Sequence, residues 1–163
     1  MSATTLILGI GNTLFRDEGV GVEVIRRLGL TDDLDGLVLI DGGTLSFTLA
    51  PAIADSPRLI VVDAAVLGAP PGSVRVFEGN AMDRQLSGKG KSVHEVSLMD
   101  LMDIARLTGT LPERRALVGI EPGEVDWGDT LTPAVDAAVP LALAEIRRLL
   151  ARWDEEGATQ TGT

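Results

Sequence analysis

The stretch that decides the fold is Leu6-Ile-Leu-Gly-Ile-Gly-Asn-Thr-Leu-Phe-Arg-Asp-Glu-Gly-Val-Gly-Val22. It begins as an apolar strand, breaks at a turn around Gly11 and restarts as a helix that opens with Asp17 and Glu18. A helix N-terminus carries partial positive charge, which a phosphate-binding glycine loop leaves open for its ligand. Here two carboxylates take that end, and Leu14 stands where a dinucleotide fingerprint has its third glycine. The stretch therefore predicts a loop suited to a cation.

The composition narrows the class of protein. The chain has 163 residues, with 24 acidic against 14 basic residues and a net charge of −10. This balance disfavours nucleic acid and anionic membrane as partners. The absence of cysteine excludes a thiol nucleophile, thiolate metal ligands and disulfides. The first five residues contain no basic signal region, and no apolar run approaches the roughly 20 residues of a membrane span. We expect a cytoplasmic, soluble protein.

Short apolar runs alternate with longer amphipathic stretches, a pattern typical of a sheet covered by helices. The predicted strands are 5–10, 37–41, 58–63, 73–78 and 115–120, and the predicted helices are 17–29, 44–54, 92–107 and 133–153. Continuous apolar runs indicate strands buried on both faces, so most of the sheet should be parallel. The link at 68–72 is too short for a crossover helix, which predicts an antiparallel fourth strand.

Three segments carry further expectations. Pro140 falls inside the last helix and predicts a kink or a break there. Residues 1–153 are expected to form a single α/β domain, and residues 154–163 a disordered tail, because they are polar and follow the last apolar residue. Residues 79–91 contain several glycines and are locally basic in an acidic chain, which predicts a mobile loop.

Three side chains are placed where they could perform chemistry. Glu18 follows the first strand, Asp63 ends the third, and His94, the single histidine, lies near the start of the third predicted helix. Ligands of open parallel sheets bind beyond the carboxyl ends of the strands. One imidazole and two carboxylates suit a divalent transition metal. The plainer interpretations are a helix-dipole acid for Glu18 and a solvated or capping residue for His94.

Two local alternatives stay open at this point. The helix near His94 has two candidate capping boxes, Ser92 with Glu95 and Ser97 with Asp100, and the second would leave His94 before the helix. Asp41 ends the second strand and is a second candidate acid, although an Asx-type turn into the next helix explains it equally well.

The order of the motifs resembles a known family. The motifs are Gly9-Ile-Gly-Asn-Thr-Leu-Phe-Arg-Asp-Glu-Gly-Val-Gly21, Asp41-Gly-Gly-Thr44, Leu59-Ile-Val-Val-Asp-Ala64, His94 and Val118-Gly-Ile-Glu-Pro122. Together they resemble the hydrogenase maturation endopeptidases, which trim the large subunit of nickel-iron hydrogenases. The resemblance runs over about residues 5–150. It implies a phosphorylase/hydrolase-like, three-layer α/β/α fold whose five-stranded mixed sheet has an antiparallel fourth strand.

The resemblance also implies an activity. Members of the family remove a C-terminal extension from the large-subunit precursor once nickel is inserted, with the nickel as recognition signal. The family's metal-contacting residues fall on Glu18, Asp63 and His94, with nickel supplied by the substrate and cadmium or zinc as surrogates. The segment 41–44 matches the family's proposed substrate-recognition motif. The implied class is a protease of aspartic or metal-assisted type, with Asp63 or Asp41 as the candidate catalytic base.

Two other functions remain as alternatives. The first is a nickel-binding chaperone of hydrogenase assembly that uses the same three ligands without hydrolysis. The second is a peptidyl-tRNA hydrolase-like enzyme. Residues 8–12 weakly resemble the opening motif of that enzyme. The net charge of −10 argues against the second, because that enzyme must hold RNA.

Overall fold

A computed structural model describes residues 4–88 and 97–161 of the chain, with side chains up to residue 159. The strands are β1 (Thr5–Ile10), β2 (Leu37–Gly43), β3 (Arg58–Ala64), β4 (Val74–Glu78) and β5 (Arg114–Ile120). The helices are α1 (Val20–Leu28), α2 (Ala50–Ala54), α3 (Asn80–Ser87), α4 (Leu98–Leu107) and α5 (Pro133–Thr161).

The five strands form one mixed sheet in the order β2-β1-β3-β5-β4. Strands β2, β1, β3 and β5 are parallel, and β4 runs antiparallel to β5. This confirms the antiparallel fourth strand predicted from the short link before it. All five predicted strands are present, with bounds that differ by at most two residues.

Hydrophobic side chains on the two faces of the sheet build two separate cores. One face packs against α1 and α5, and the other against α2, α3 and α4. Every residue of β1 is buried, as are the first five residues of β3, so these central strands contribute apolar side chains to both cores. The arrangement confirms the predicted three-layer α/β/α fold.

The prediction of a mobile loop at 79–91 is wrong for most of that segment. Residues 80–87 form α3, whose Met82 and Leu86 are buried one helical turn apart. Asp83 accepts hydrogen bonds from Arg115 at 3.0 and 2.7 Å and so fastens the helix to β5. The apolar pair is outnumbered by polar and glycine residues, so the segment has only a weak helical pattern in the sequence. The remaining positions, 89–91, lie outside the described residues.

The helix predicted at 92–107 begins later than expected. α4 starts at Leu98, and its N-cap is Ser97, which forms a capping box with Asp100. The Ser97 hydroxyl accepts from the Asp100 N–H at 3.1 Å, and the Asp100 carboxylate accepts from the Ser97 N–H at 2.9 Å. The second capping alternative is therefore the one that starts this helix. Ser92, His94 and Glu95 lie outside the described residues.

The first two predicted helices also start later than expected, because a 3-10 turn precedes each of them. Residues 16–19 form such a turn before α1, and residues 47–49 before α2. The chain thus reaches the helices through tight turns, which keep residues 11–19 and 43–47 close to the end of the sheet.

The predicted disordered tail is wrong for residues 154–161, since α5 continues through Pro140 without a break and ends at Thr161. Polar contacts explain the extension. The Arg58 guanidinium donates to the Asp154 carboxylate at 2.6 Å and to the Trp153 carbonyl at 2.9 Å, and Arg114 pairs with Glu156. Residues that look like a solvated tail are thus ion-paired to the starts of β3 and β5.

Across residues 4–88 and 97–161, none of the helices has both the length and the apolar character needed to cross a lipid bilayer.

Candidate active site

The site lies where the order of the chain reverses in the sheet. The chain passes from β1 to β2 on one side and then returns to place β3 on the other side of β1. The carboxyl ends of β1 and β3 therefore diverge into loops and leave a crevice between them. Glu18 follows β1 and Asp63 is the penultimate residue of β3, so both belong to this crevice.

Gly11 brings the backbone of Glu18 onto the end of β1. Gly11 has φ 136°, which L side chains rarely adopt, and a Cβ at this position would lie 1.8 Å from the Glu18 carbonyl oxygen. The Gly11 N–H in turn donates to the Gly43 carbonyl at 2.9 Å. The glycine is thus required by close backbone approach, and its consequence is a Glu18 positioned above the end of the strand.

Gly21 permits a similar close backbone approach between α1 and β3. A Cβ here would lie 2.1 Å from the Val62 carbonyl oxygen and 2.5 Å from that of Ile10. The first turn of α1 therefore rests directly on the two strands whose ends flank the crevice. Because Val62 precedes Asp63, the helix start that follows Glu18 is pressed against the strand end that carries Asp63.

Glu18 and Asp63 line one open cleft of about 770 Å³. Glu18 is exposed and Asp63 is half-buried. The other lining residues come from the loops after β1 and β2: Ile10, Gly11, Asn12, Phe15, Gly43, Thr44, Leu45, Ser46 and Phe47. The structure thus brings together two of the three residues that the sequence selected as metal ligands.

Asp41 is placed differently. Its carboxylate accepts a hydrogen bond from the Gly43 N–H at 2.9 Å, across an irregularity where β1 pairs with Asp41 and then with Gly43. The Asp41 side chain is exposed and is absent from the described lining of the cleft, whereas Gly43 and Thr44 belong to that lining. The contact is that of an Asx-type turn, which is the plainer of the two roles considered for this residue.

The predicted third ligand, His94, lies outside the described residues. Within residues 4–88 and 97–161, no group of three or more histidine and acidic side chains is arranged to hold a metal ion. Glu18 and Asp63 supply two carboxylates to an open cleft, a partial donor set that fits a divalent cation and needs a further ligand. The full set of three stays a prediction.

Asp17 has a role that the sequence did not reveal. The side chain is fully buried, and its carboxylate accepts from the N–H groups of Gly123, Glu124 and Thr132, each at 2.8 Å, and from the Thr132 hydroxyl at 2.7 Å. It holds the loop after β5 against the loop after β1. The expectation that Asp17 joins Glu18 in a cation-binding loop is therefore wrong for Asp17, whose oxygens are already used.

Two opposing effects set the pKa of Asp17. Burial raises the pKa, but hydrogen bonds from Glu124, Thr132 and Gly123 stabilise the ionised form and together hold the pKa below its ordinary value of 3.8. Asp17 is thus a buried carboxylate that is ionised at neutral pH and holds two loops together. Its partners are more than 100 residues away in the chain, so a local sequence pattern does not predict them.

Glu121, from the motif at 118–122, is a second carboxylate used internally. It accepts a hydrogen bond from the Leu67 N–H at 2.6 Å and so ties the end of β5 to the loop after β3. Among the acids of this sheet edge, Asp17 and Glu121 hold loops, while Glu18 and Asp63 line the cleft.

Comparisons with known proteins point to one family. Residues 22–149 match the family model described as hydrogenase maturation protease, a range that includes Asp63 and His94 and begins four residues after Glu18. The chain is 38% identical to the hydrogenase expression/formation protein HupD of Rhodobacter capsulatus, over 94% of this chain and 76% of HupD. It is 32% identical to the hydrogenase 2 maturation protease of Escherichia coli, over 86% of this chain and 87% of that protein.

The solved structures give the same result. The structure of the hydrogenase maturating endopeptidase HybD from E. coli is similar to this chain, with a TM-score of 0.83, 31% sequence identity and 94% of each chain covered. Both the sequence likeness and the fold extend over most of the molecule. This chain therefore belongs to the hydrogenase maturation protease family.

Proposed function

We propose that this protein is an endopeptidase that removes the C-terminal extension of a nickel-iron hydrogenase large-subunit precursor after nickel insertion. Family membership supports peptide-bond hydrolysis in hydrogenase maturation. The observation that carries the proposal is the meeting of Glu18 and Asp63 in one open cleft at the point where the strand order reverses. The cleft has room for an extended peptide as well as for a cation beside the two carboxylates.

The nickel belongs to the substrate in this proposal. Glu18 and Asp63 attract a cation, and His94 is proposed as the imidazole ligand that favours a late transition metal over magnesium. Two carboxylates and one neutral imidazole bind a divalent ion more weakly than a closed four-ligand site. We therefore infer that the resting protein is largely free of metal and engages only a precursor whose own residues already hold nickel.

Asp63 is also the proposed catalytic carboxylate. It is the sixth residue of β3, directly after five buried residues, so its backbone is fixed at the point where the strand reaches the cleft that Asp63 lines. A carboxylate in this position can accept the proton of a water molecule that attacks the scissile carbonyl. Asp41 is the alternative base, and its hydrogen bond with the Gly43 N–H would have to open for that role.

The experiment combines two measurements on the purified protein. Elemental analysis of protein prepared without chelator should find well under one equivalent of nickel or zinc. Cleavage assays should show processing of the nickel-loaded precursor and none of the nickel-free precursor. Near-stoichiometric bound metal at rest, or equal cleavage of both precursors, contradicts recognition of substrate-borne nickel. Stoichiometric binding without cleavage instead supports the assembly chaperone.

A further inference from the structure

An aromatic pair stands at the edge of the cleft. Phe15 lines the cleft, and its ring lies 4.7 Å from the ring of Trp127, centroid to centroid, with a 34° angle between the planes. Trp127 belongs to the loop between β5 and α5, and 72% of its surface is exposed. The second tryptophan, Trp153, is only 2% exposed. A large ring held in water beside the cleft is a feature that the proposed chemistry does not use.

The loop that carries Trp127 is firmly held. Arg16 donates its N–H to the Gly128 carbonyl, Gly128 donates to the Leu14 carbonyl, both at 2.9 Å, and Phe15 and Gly128 form a β-bridge. Arg16 has φ 44°, an unfavourable conformation for a residue with a side chain. The four hydrogen bonds to Asp17 fix the same loop from below. Trp127 is therefore presented by an ordered backbone, so partner binding has little loop ordering to offset.

Two exposed apolar residues lie close to the pair in sequence. Leu14 is 54% exposed and Val125 52% exposed, and they flank the ring pair in sequence. We call Leu14, Phe15, Val125 and Trp127 the aromatic rim. Exposed apolar groups on loops beside a cleft are typical of an interaction surface, and tryptophan is among the residues most enriched at the energetic centre of such surfaces.

The rim has an acidic border. Glu124, Asp126 and Asp129 are exposed around Trp127, and Arg16 pairs with the first two at 3.3 Å each. Three acids against one arginine leave the border negative. The complementary surface is therefore an apolar patch edged with basic side chains, which is the chemistry of a protein partner.

We propose that the aromatic rim docks the folded body of the precursor while its C-terminal segment lies in the cleft. This rests on the proposed function. Because Phe15 belongs to both the rim and the cleft, the rim directly adjoins any chain whose end lies in the cleft. Docking there adds affinity for the precursor without touching the bond that is cleaved.

Fluorine NMR tests contact at the rim directly. The chain contains two tryptophans, so protein labelled with 5-fluorotryptophan gives two resonances, and Trp127→Phe assigns them by removing one. Addition of unlabelled nickel-loaded large-subunit precursor should shift or broaden the Trp127 resonance and leave that of the buried Trp153 in place. An unmoved Trp127 resonance under conditions where the precursor binds overturns the proposal.

Steady-state processing separates docking from catalysis. Trp127→Ala should raise the KM for the precursor about tenfold or more while kcat changes less than about threefold. Trp127→Phe should restore most of the affinity. Leu107→Ala is the matched control, because Leu107 is 88% exposed and ends α4 at the opposite edge of the sheet, and it should leave both constants unchanged. A Trp127→Ala effect confined to kcat, or equal to that of Leu107→Ala, contradicts docking.

A second rim variant tests docking in case Trp127→Ala fails to fold. Val125→Ser changes the rim outside the ring pair and should raise KM several-fold at an unchanged melting temperature. Wild-type protein that neither binds nor cleaves the precursor contradicts the proposed function, and docking with it. Wild-type cleavage together with unchanged KM in Val125→Ser and Trp127→Ala contradicts docking alone.

Discussion

The two ends of the parallel strands use charge in opposite ways. We call the side of the sheet where these strands begin the amino edge and the side where they end the carboxyl edge. At the amino edge, Arg58 pairs with Asp154, Arg114 pairs with Glu156, and Arg147 donates to the Asp33 carbonyl and the Thr31 hydroxyl. A cleft of about 310 Å³ at this edge is lined by both arginines and aspartates. At the carboxyl edge, the described lining of the larger cleft includes Glu18 and Asp63 and no lysine or arginine.

The difference separates the acids that hold the fold together from those that the proposed function uses. Carboxylates at the amino edge neutralise buried or half-buried guanidinium groups and so extend α5, whereas the cleft at the carboxyl edge contains the two carboxylates that we propose as cation ligands. Position in the fold therefore says more about an acid than its residue type does. Substitutions matched between the two edges should break stability and processing independently.

The largest effect on stability is expected from glycine at the carboxyl edge. Gly21→Ala should lower the free energy of unfolding by about 3 kcal/mol or more, because the new Cβ meets backbone oxygens that cannot move without separating α1 from the sheet. Gly29→Ala, at the other end of α1, meets nothing closer than 3.5 Å at φ −62° and should gain about 0.5 kcal/mol. Urea unfolding of both variants measures the contrast, and equal stability of the two contradicts the close-approach account.

The next largest effect on stability is expected from Asp17, the buried carboxylate that holds two loops together. Asp17→Asn should cost about 2 kcal/mol, because the amide cannot accept from all four donors and places its own N–H₂ beside them. Since the folded state holds the pKa of Asp17 below 3.8, its stabilisation is complete above that value and is lost as pH falls through the folded-state pKa. Unfolding measured from pH 7 to pH 2 should therefore show a weaker acid dependence in the variant than in wild type.

Glu23→Gln is the control that separates acid stability from processing. Hydrogen bonding and charge attraction from Arg26 and Arg27 lower the pKa of Glu23 to about 2 despite some opposing burial. This variant should also flatten the acid limb of the stability curve, because the same linkage applies. It should leave precursor processing unchanged, whereas Asp17→Asn should slow it by loosening the loop that carries Trp127. Equal processing by the two variants argues against a positioning role for Asp17.

The smallest effect is expected at the amino edge. The Thr5 hydroxyl is buried and has no hydrogen-bond partner among the groups that the structure describes. Thr5→Val keeps the shape of the side chain and removes an unsatisfied polar atom, so it should raise stability by up to about 1 kcal/mol. Thermal unfolding checks this, with processing unchanged. A loss of stability would reveal a partner for this hydroxyl.

The sequence predicts the sheet well because its signal is local. Continuous apolar runs such as 59–62 mark the buried strands, and the short link at 68–72 determines the direction of β4. Helix starts are less predictable, because Ser92 and Ser97 both begin a capping-box pattern in the sequence, and the structure shows that Ser97 caps α4. The polar composition of 154–161 also misleads, since Arg58 and Arg114 are distant partners.

The site divides in the same manner. Glu18 and Asp63 follow from their places after strands, and the structure brings them to one cleft. Asp17 could not be assigned from sequence, because its role depends on Gly123, Glu124 and Thr132, which only the folded chain places around it. The glycine motif predicted a turn, but Gly11 and Gly21 are required because backbone oxygen atoms of Glu18 and Val62 lie where a Cβ would be.

The most direct test compares one carboxylate from each edge. Asp63→Asn and Asp154→Asn are nearly isosteric changes, one in the cleft and one in the ion pair with Arg58. Mass spectrometry of the nickel-loaded precursor should show release of its C-terminal extension reduced at least about 100-fold by Asp63→Asn, at an unchanged melting temperature. Asp154→Asn should process at the wild-type rate with a lowered melting temperature. Wild-type processing by Asp63→Asn would contradict the assignment of the cleft as the active site.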